Sequence, residues 1–444
     1  MRISGILGDL IDYGHKLMAI AEREGAEEAE VFGISGRSVD IDLRKDEIEL
    51  ASESFHRGLG LRAVVKGAVG FSSTSDMARL ESVARSAVRS ARARGADESW
   101  RSLPIPEKIQ RPENIFDPNL EKITPEECID ISMSILQGGS KIKGTEPLSG
   151  GVTCVAGTEF VLNSRGVELS EKSTVMHASF EAIAKDADVA TGGEFHNSRL
   201  MKEDLQEVGR SAAEMARSSL GGIKAETGTS YILLKPIAFA EILEYTFVPS
   251  ISADNIQKGR SSLVSKIGEN IASERLNMTD DGLLQGGMGS SAFDGEGVPS
   301  QITPVVKNGQ LMEFLYDSYT AGKAGVKSTG NAVRSGYSEV PRVSIRNLIV
   351  SSSEPFDLLS ETKGILVNSL IGAHTANPIS GDFSVEARNS FYVSPGEPAR
   401  PIRSLMLAGN IFDLLKDIDV GKDVRAVGAI VTPTVRVMMK VVGS

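Results

Sequence analysis

Apolar residues recur along this chain in two rhythms, and the balance between them shifts about half-way. In residues 11–24, IDYGHKLMAIAERE, Ile11, Leu17, Met18 and Ala21 fall at helical spacing and Gly25 follows as a stop, which predicts an amphipathic helix. Residues 38–74, SVDIDLRKDEIELASESFHRGLGLRAVVKGAVGFSST, alternate apolar and polar positions between charged or glycine-bearing turns. That period of two predicts a meander of three or four strands, with a second helix over 76–94 to cover it. Residues 98–118 hold four of the 17 prolines and read as a linker.

The pattern then repeats in kind. Thr124-Pro125-Glu126-Glu127 supplies an N-cap, a proline for the first helical position and a capping-box glutamate, so a helix to Gln137 is expected. Residues 152–185 read as a hairpin around Asn163-Ser164-Arg165-Gly166, and 201–220 as an amphipathic helix ended by Gly221-Gly222. From 229 onward short β-rich runs dominate, including SYILLKP, RVSIRNLIV and GDFSVEARNSFYV. Two helices interrupt them, an apolar one over 236–248 stopped by Pro249 and another near 404–417. The expected fold is α+β: two N-terminal units of helices on antiparallel strands, 1–100 and 113–224, then a larger, mostly β domain over 227–444. The first two units share a makeup but no residue-level repeat.

Composition narrows the function classes. A 444-residue chain with 41% hydrophobic and 24% charged residues has the length and apolar content for several packed cores. A formal charge of −11 repels phosphate backbones and acidic membranes, so no direct nucleic-acid partner and no membrane are expected. Arg85, Arg89, Arg92 and Arg94 form the one basic concentration and read as the solvated face of a helix. Cys128 and Cys154 make neither a disulfide framework nor a metal knuckle, which suits a reducing compartment. Asp9, Asp12 and His15 interrupt what would be a signal-peptide core, and no run approaches membrane length, so a cytoplasmic location is expected.

The glycine-rich stretch GGMGSSAFDGEG, 286–297, raises a sharper question. Gly287 to Ala292 fit G-x-G-x-x-G/A, but Gly295, Gly297 and Pro299 exclude the helix that a dinucleotide site needs next. AGKAGVKS, 321–328, ends like a phosphate loop yet has Ala321 and Val326 where glycines are required. The five histidines, His15, His56, His177, His196 and His374, never stand three to five apart, and no G-x-S-x-G elbow occurs.

Residues 286–332, from GGMGSSAFDGEG to VKSTGNA, resemble the long signature of the TldD/PmbA family, and GAHTANPISGDFSVEA, 372–387, resembles its later glycine-aspartate segment. The resemblance covers essentially the whole chain. It implies two kinds of subunit: TldD-like chains carry H-E-x-x-x-H on a helix and act as metallopeptidases, whereas PmbA/TldE-like chains lack it and pair with them. At the matching helix, AFAEILEYTFVPS, Leu243 and Val248 stand at the histidine positions and Glu244 at the glutamate. Alkyl side chains offer a metal no lone pair, so the chain is similar to the PmbA/TldE branch, with no metal, no cofactor and no catalytic residue of its own expected. The resemblance further implies a peptide- or partner-binding role for Gly287, Gly289, Asp294, Glu296, Ser328, Thr329, His374 and Asp382. The implied partners are unfolded peptide and a second subunit, either another copy or a TldD-like chain. A hydrolase with an unrecognised site and a protein-binding modulator of DNA gyrase stand as alternatives.

Overall fold

The computed structural model describes residues 3–397 and 399–443, so the outermost positions of the expected first and last domains lie outside it. The front half runs α1 (Ile3–Arg23), β1 (Glu28–Arg44), β2 (Glu47–Val65), β3 (Ala68–Thr74) and α2 (Leu80–Arg94). It continues through α3 (Pro118–Lys122), α4 (Pro125–Ser140), β4 (Thr145–Asn163), β5 (Glu168–Lys185), β6 (Val189–Ser198) and α5 (Gln206–Ser218). α4 starts where its capping box dictates: the Glu127 amide donates to Thr124 Oγ1 at 3.2 Å, and the Thr124 amide to Glu127 Oε2 at 2.7 Å. On α2, Arg85 and Arg92 reach back to Glu24, the latter donating to its carbonyl at 2.7 Å.

All six strands join one antiparallel sheet in the order β3-β2-β1-β4-β5-β6. The two front units therefore share a sheet, because β1 pairs with β2 on one side and with β4 on the other, Val31 lying between Leu61 and Leu162. Strand alternation assigns the faces. Ala29 and Val31 of β1 turn toward α1 and α2, and Val39, Ile41 and Leu43 turn toward α4 and α5. Phe32 turns the opposite way and packs with Val161, Val167, Ala292 and Phe293. One face of the sheet is thus covered by four helices. The other receives the glycine-rich loop of the C-terminal domain.

That domain begins with β7 (Gly228–Leu234), α6 (Pro236–Tyr245) and α7 (Phe247–Ser250), followed later by β8 (Leu276–Asp281) and β9 (Ile302–Lys307). Strands 364–371, β7, 435–443, 405–410 and 382–393 pair in that order, and 364–371 also pairs with 382–393, which closes the circuit. A second sheet runs 310–311, β9, β8, 348–352, 430–432 and 425–427. The helix expected near 404–417 is instead the strand Leu405–Asn410 followed by single turns at 411–414 and 415–417. Leu405 and Leu407 are fully buried while Met406 and Ala408 are not, a period of two within a run too short to show it clearly.

Buried charge locks this domain to the sheet. Glu30 and Arg62 face each other across β1 and β2, on the side away from the helices. Arg62 grips Glu30 with two bonds, Nε to Oε1 at 2.9 Å and Nη2 to Oε2 at 2.5 Å, and donates Nη1 to Glu296 Oε1 at 2.7 Å. Glu296 in turn accepts the Ser318 amide at 2.8 Å, and Arg334 Nη2 closes on Glu30 from the C-terminal side. These four side chains are all at least 95% buried, at 5% exposure or less. Burial opposes ionisation of Arg62, but Glu30 and Glu296 outweigh it and raise its pKa. Glu30→Gln leaves two buried guanidiniums short of a counter-charge, and we expect a loss of about 3–5 kcal/mol in urea unfolding. An unchanged urea midpoint would show that the network contributes nothing.

Candidate functional site

The face of the sheet opposite the helices is polar at its centre. Glu159 of β4 lies opposite Glu171 of β5 and Ile34 of β1, on the same side as Phe32 and Val161. Arg199, just past β6, leans over this face. Its Nε donates to Gly287 O at 3.2 Å and its Nη2 to Met288 O, while Glu171 accepts the Ala292 amide at 3.0 Å. The glycine-rich loop is thereby pinned to the sheet at both ends of its first half. Its small residues permit the approach: a Cβ on Gly289 would sit 1.9 Å from the carbonyl oxygen of Arg346. Gly297 serves differently, holding a φ of +82° at the end of the loop.

Between sheet and C-terminal domain lie two joined cavities. The inner one, about 540 Å³, is bounded by Phe32, Glu159, Arg199, Arg334 and Arg346 along with the loop from Met288 to Gly295. The outer one, about 1210 Å³, runs past Arg62, Trp100, Tyr245, Asn255, Asp317 and Tyr319. Glu244, Val248 and Ser344 line both, so the end of α6 stands at the passage between them.

The apolar helix expected to run to Val248 breaks earlier. Thr246 leaves helical geometry at φ −124° and ψ −63°, its hydroxyl bonds to the Ile242 carbonyl, and Pro249 lies inside the next turn, α7. Leu243 sits in the core at 0% exposure, whereas Glu244 and Val248 reach the cavities.

The other expected residues divide sharply. Of the loop positions, Gly289 lines the inner cavity and Gly287 does not. Asp294 and Glu296 do not offer a carboxylate to a peptide amine: both are buried, with their acceptors taken inside the chain. Asp294 receives the amides of Glu296, Val298 and Ala332, at 2.9, 3.0 and 3.1 Å. Burial, then the neighbouring Glu296, pushes its pKa up to about 7. Burial also raises Glu296, but Arg62 and the Ser318 amide prevail and hold it below the usual carboxylate range. Ser328 and Thr329 bond to the Tyr316 backbone and shape a turn. His374 is exposed, its ring 6.4 Å from that of Tyr245, and Asp382 is exposed with bonds to Ser380 and Asn410. Neither borders the two cavities. Glu159, Arg199, Arg334 and Arg346 were missed by motif reasoning. For Glu159 and Arg346 the signal was a charge inside an apolar run, GTEFVLN and RVSIRNLIV.

Three family models match in sequence: PmbA/TldA metallopeptidase domain 1 over 29–91, the central domain over 118–220 and the C-terminal domain over 227–443. The chain belongs to the PmbA/TldD family. An uncharacterized protein of Methanocaldococcus jannaschii is 33% identical over 95% of this chain and 97% of its own. Among solved structures, a proposed modulator of a DNA gyrase from Thermotoga maritima is similar at 25% identity, with a TM-score of 0.88, covering 98% of this chain and all of its own. TldE from Thermococcus kodakarensis shares the fold at 23% identity and a TM-score of 0.88, over 97% of this chain and 100% of its own.

Within this PmbA/TldD member, the α6 end carries a titratable pair. Glu241 accepts the Leu370 amide at 2.8 Å; burial foremost, with Glu244 adding to it, pushes its pKa up to about 7. A carboxyl raised on folding favours the folded state most below its unfolded pKa, and that contribution is lost as pH rises through 7. Glu241→Gln removes this titration. The variant is expected to gain in melting temperature relative to the parent as pH is raised from about 5 to about 8. A difference that stays flat with pH would contradict it.

Proposed function

We propose that this chain is the PmbA/TldE-like subunit of a cytoplasmic peptide-processing complex, contributing scaffold and peptide cleft while a TldD-type partner supplies the metal and the hydrolytic step. The observation that carries this reading is the passage at the end of α6, where the residues lining both cavities are Glu244 and Val248, a carboxylate and an alkyl group, with no imidazole on α6 or α7. A lone carboxylate does not lower the pKa of water as a bound metal does, so Glu244 is poorly equipped to start hydrolysis alone.

The outer cavity suits an extended chain. It is roomy, about 1210 Å³, and bordered by both aromatic and polar groups, including Trp100, Tyr319, Asn255 and Gln257. Such a surface holds peptide backbone by hydrogen bonds and side chains by stacking, without demanding one sequence. Among the described residues no helix is long and apolar enough to cross a membrane, and both cysteines are free and buried, which agrees with a reducing cytoplasm.

The test joins metal content, assembly and activity. Tag-free chain offered zinc and desalted is expected to retain well under one metal per chain by elemental mass spectrometry, and to leave unfolded casein intact. Mixed with a TldD-type chain from the same genome, it is expected to form a mixed assembly by native mass spectrometry and to cleave casein. Stoichiometric metal with cleavage by the chain alone would overturn the reading in favour of an independent hydrolase.

A further inference from the structure

The inner cavity is bordered by a carboxyl and a guanidinium, Glu159 and Arg346, that make no salt bridge among the described residues. Arg346 is 8% exposed and is oriented by Gly289 O, which accepts from Nε at 2.9 Å. Its Nη1 makes only 3.5 Å contacts with the carbonyls of Phe293 and Gly330, and its Nη2 makes no hydrogen bond among the described residues. Glu159 stands mid-strand on β4 and has neither a hydrogen bond nor an ion pair among the described residues. Both border the same space. Desolvation raises the Glu159 pKa, and Arg346 heads the opposing influences, so the two sense each other without touching.

A carboxyl and a guanidinium facing one cavity attract each other, and ordinarily they would close into a salt bridge. Here Arg346 is held back by the loop carbonyl, and Glu159 projects from a strand paired on both sides. The two border one cavity without forming a salt bridge. A volume near 540 Å³ lies within the range of about 300–1,000 Å³ typical of small-molecule sites. A ligand that carries an ammonium and a carboxylate a few bonds apart would satisfy both groups at once with charge-assisted hydrogen bonds. Arg199, also without a carboxylate in salt-bridge contact among the described residues, adds positive potential on the same side of the loop.

We propose that the inner cavity binds a short zwitterionic peptide of dipeptide size, its carboxylate on Arg346 and its ammonium on Glu159. This rests on the peptide-cleft reading, because a chain end or short product would enter past Glu244 from the outer cavity. The site reads free termini, whereas the outer cavity reads backbone.

Isothermal titration calorimetry with Ala-Ala, N-acetyl-Ala-Ala and Ala-Ala-amide tests it. Ala-Ala is expected to bind, and capping either end to weaken binding about tenfold or more, as loss of a charge-assisted bond in a confined site predicts. Glu159→Gln, which breaks no internal bond, is expected to erase the discrimination against the N-acetyl form. Absence of heat with Ala-Ala, or equal affinities in parent and variant, overturns the proposal. A fluorescent 12-residue unfolded peptide blocked at both ends, followed by anisotropy, reads the outer cavity alone. If it binds while Ala-Ala does not, the inner site fails and the cleft reading survives; if neither binds, both fail.

Discussion

Everything about the site depends on the buried contact in which Arg62 holds Glu30 on one side and Glu296 on the other. Glu30 and Arg62 are cross-strand neighbours in the front sheet, whereas Glu296 belongs to a loop 234 residues away from Arg62. Such a charge cluster is expensive to desolvate and tolerates little misplacement, so it sets one relative position of sheet and domain rather than a range of them. Arg334 adds a second cation to Glu30 and bonds to Gly295 O at 2.7 Å, fastening the same loop from the other side.

The glycine-rich loop is then explained by what must come near it. It passes between a sheet face and the backbone of Arg346 with no room for a side chain at Gly289. Phe293 and Ala292 supply the apolar contact with Phe32 and Val161, and the charged groups beside them remain at the rim of a cavity. A structural seam and the wall of a cavity thus lie side by side. The carboxylates of the loop, with Arg62 and Arg334, belong to the seam, and Arg199, Arg346 and Glu159 border the cavity.

What was legible in the sequence was local. The capping box at Thr124, the first meander and the hairpin turn at Asn163 depend on neighbours a few residues apart, and the chain forms them as expected, whereas β6 was not foreseen. The union of β1 with β4 was not legible, since nothing near Val31 says that Leu162 will lie beside it. The strand at 405–410 and the break at Thr246 were decided by tertiary packing over weak local preference. Asp294 and Glu296 looked like ligand groups because a glycine-rich acidic loop reads as exposed; burial and three backbone amides made Asp294 a structural residue instead. Arg62, Glu159 and Arg346 carried a usable signal in retrospect. A charged residue amid buried positions needs a partner: Arg62 finds Glu30 and Glu296, whereas Glu159 and Arg346 face the cavity.

The most direct test of a peptide cleft at the seam is hydrogen–deuterium exchange with and without a saturating unfolded peptide. Slower exchange should be confined to the loop at 286–297, to 332–346 and to α6 and α7, with α1, α2, α4 and α5 unchanged. Peptide binding that instead protects the helical face, or leaves those three segments unchanged, would place recognition elsewhere and contradict the cleft.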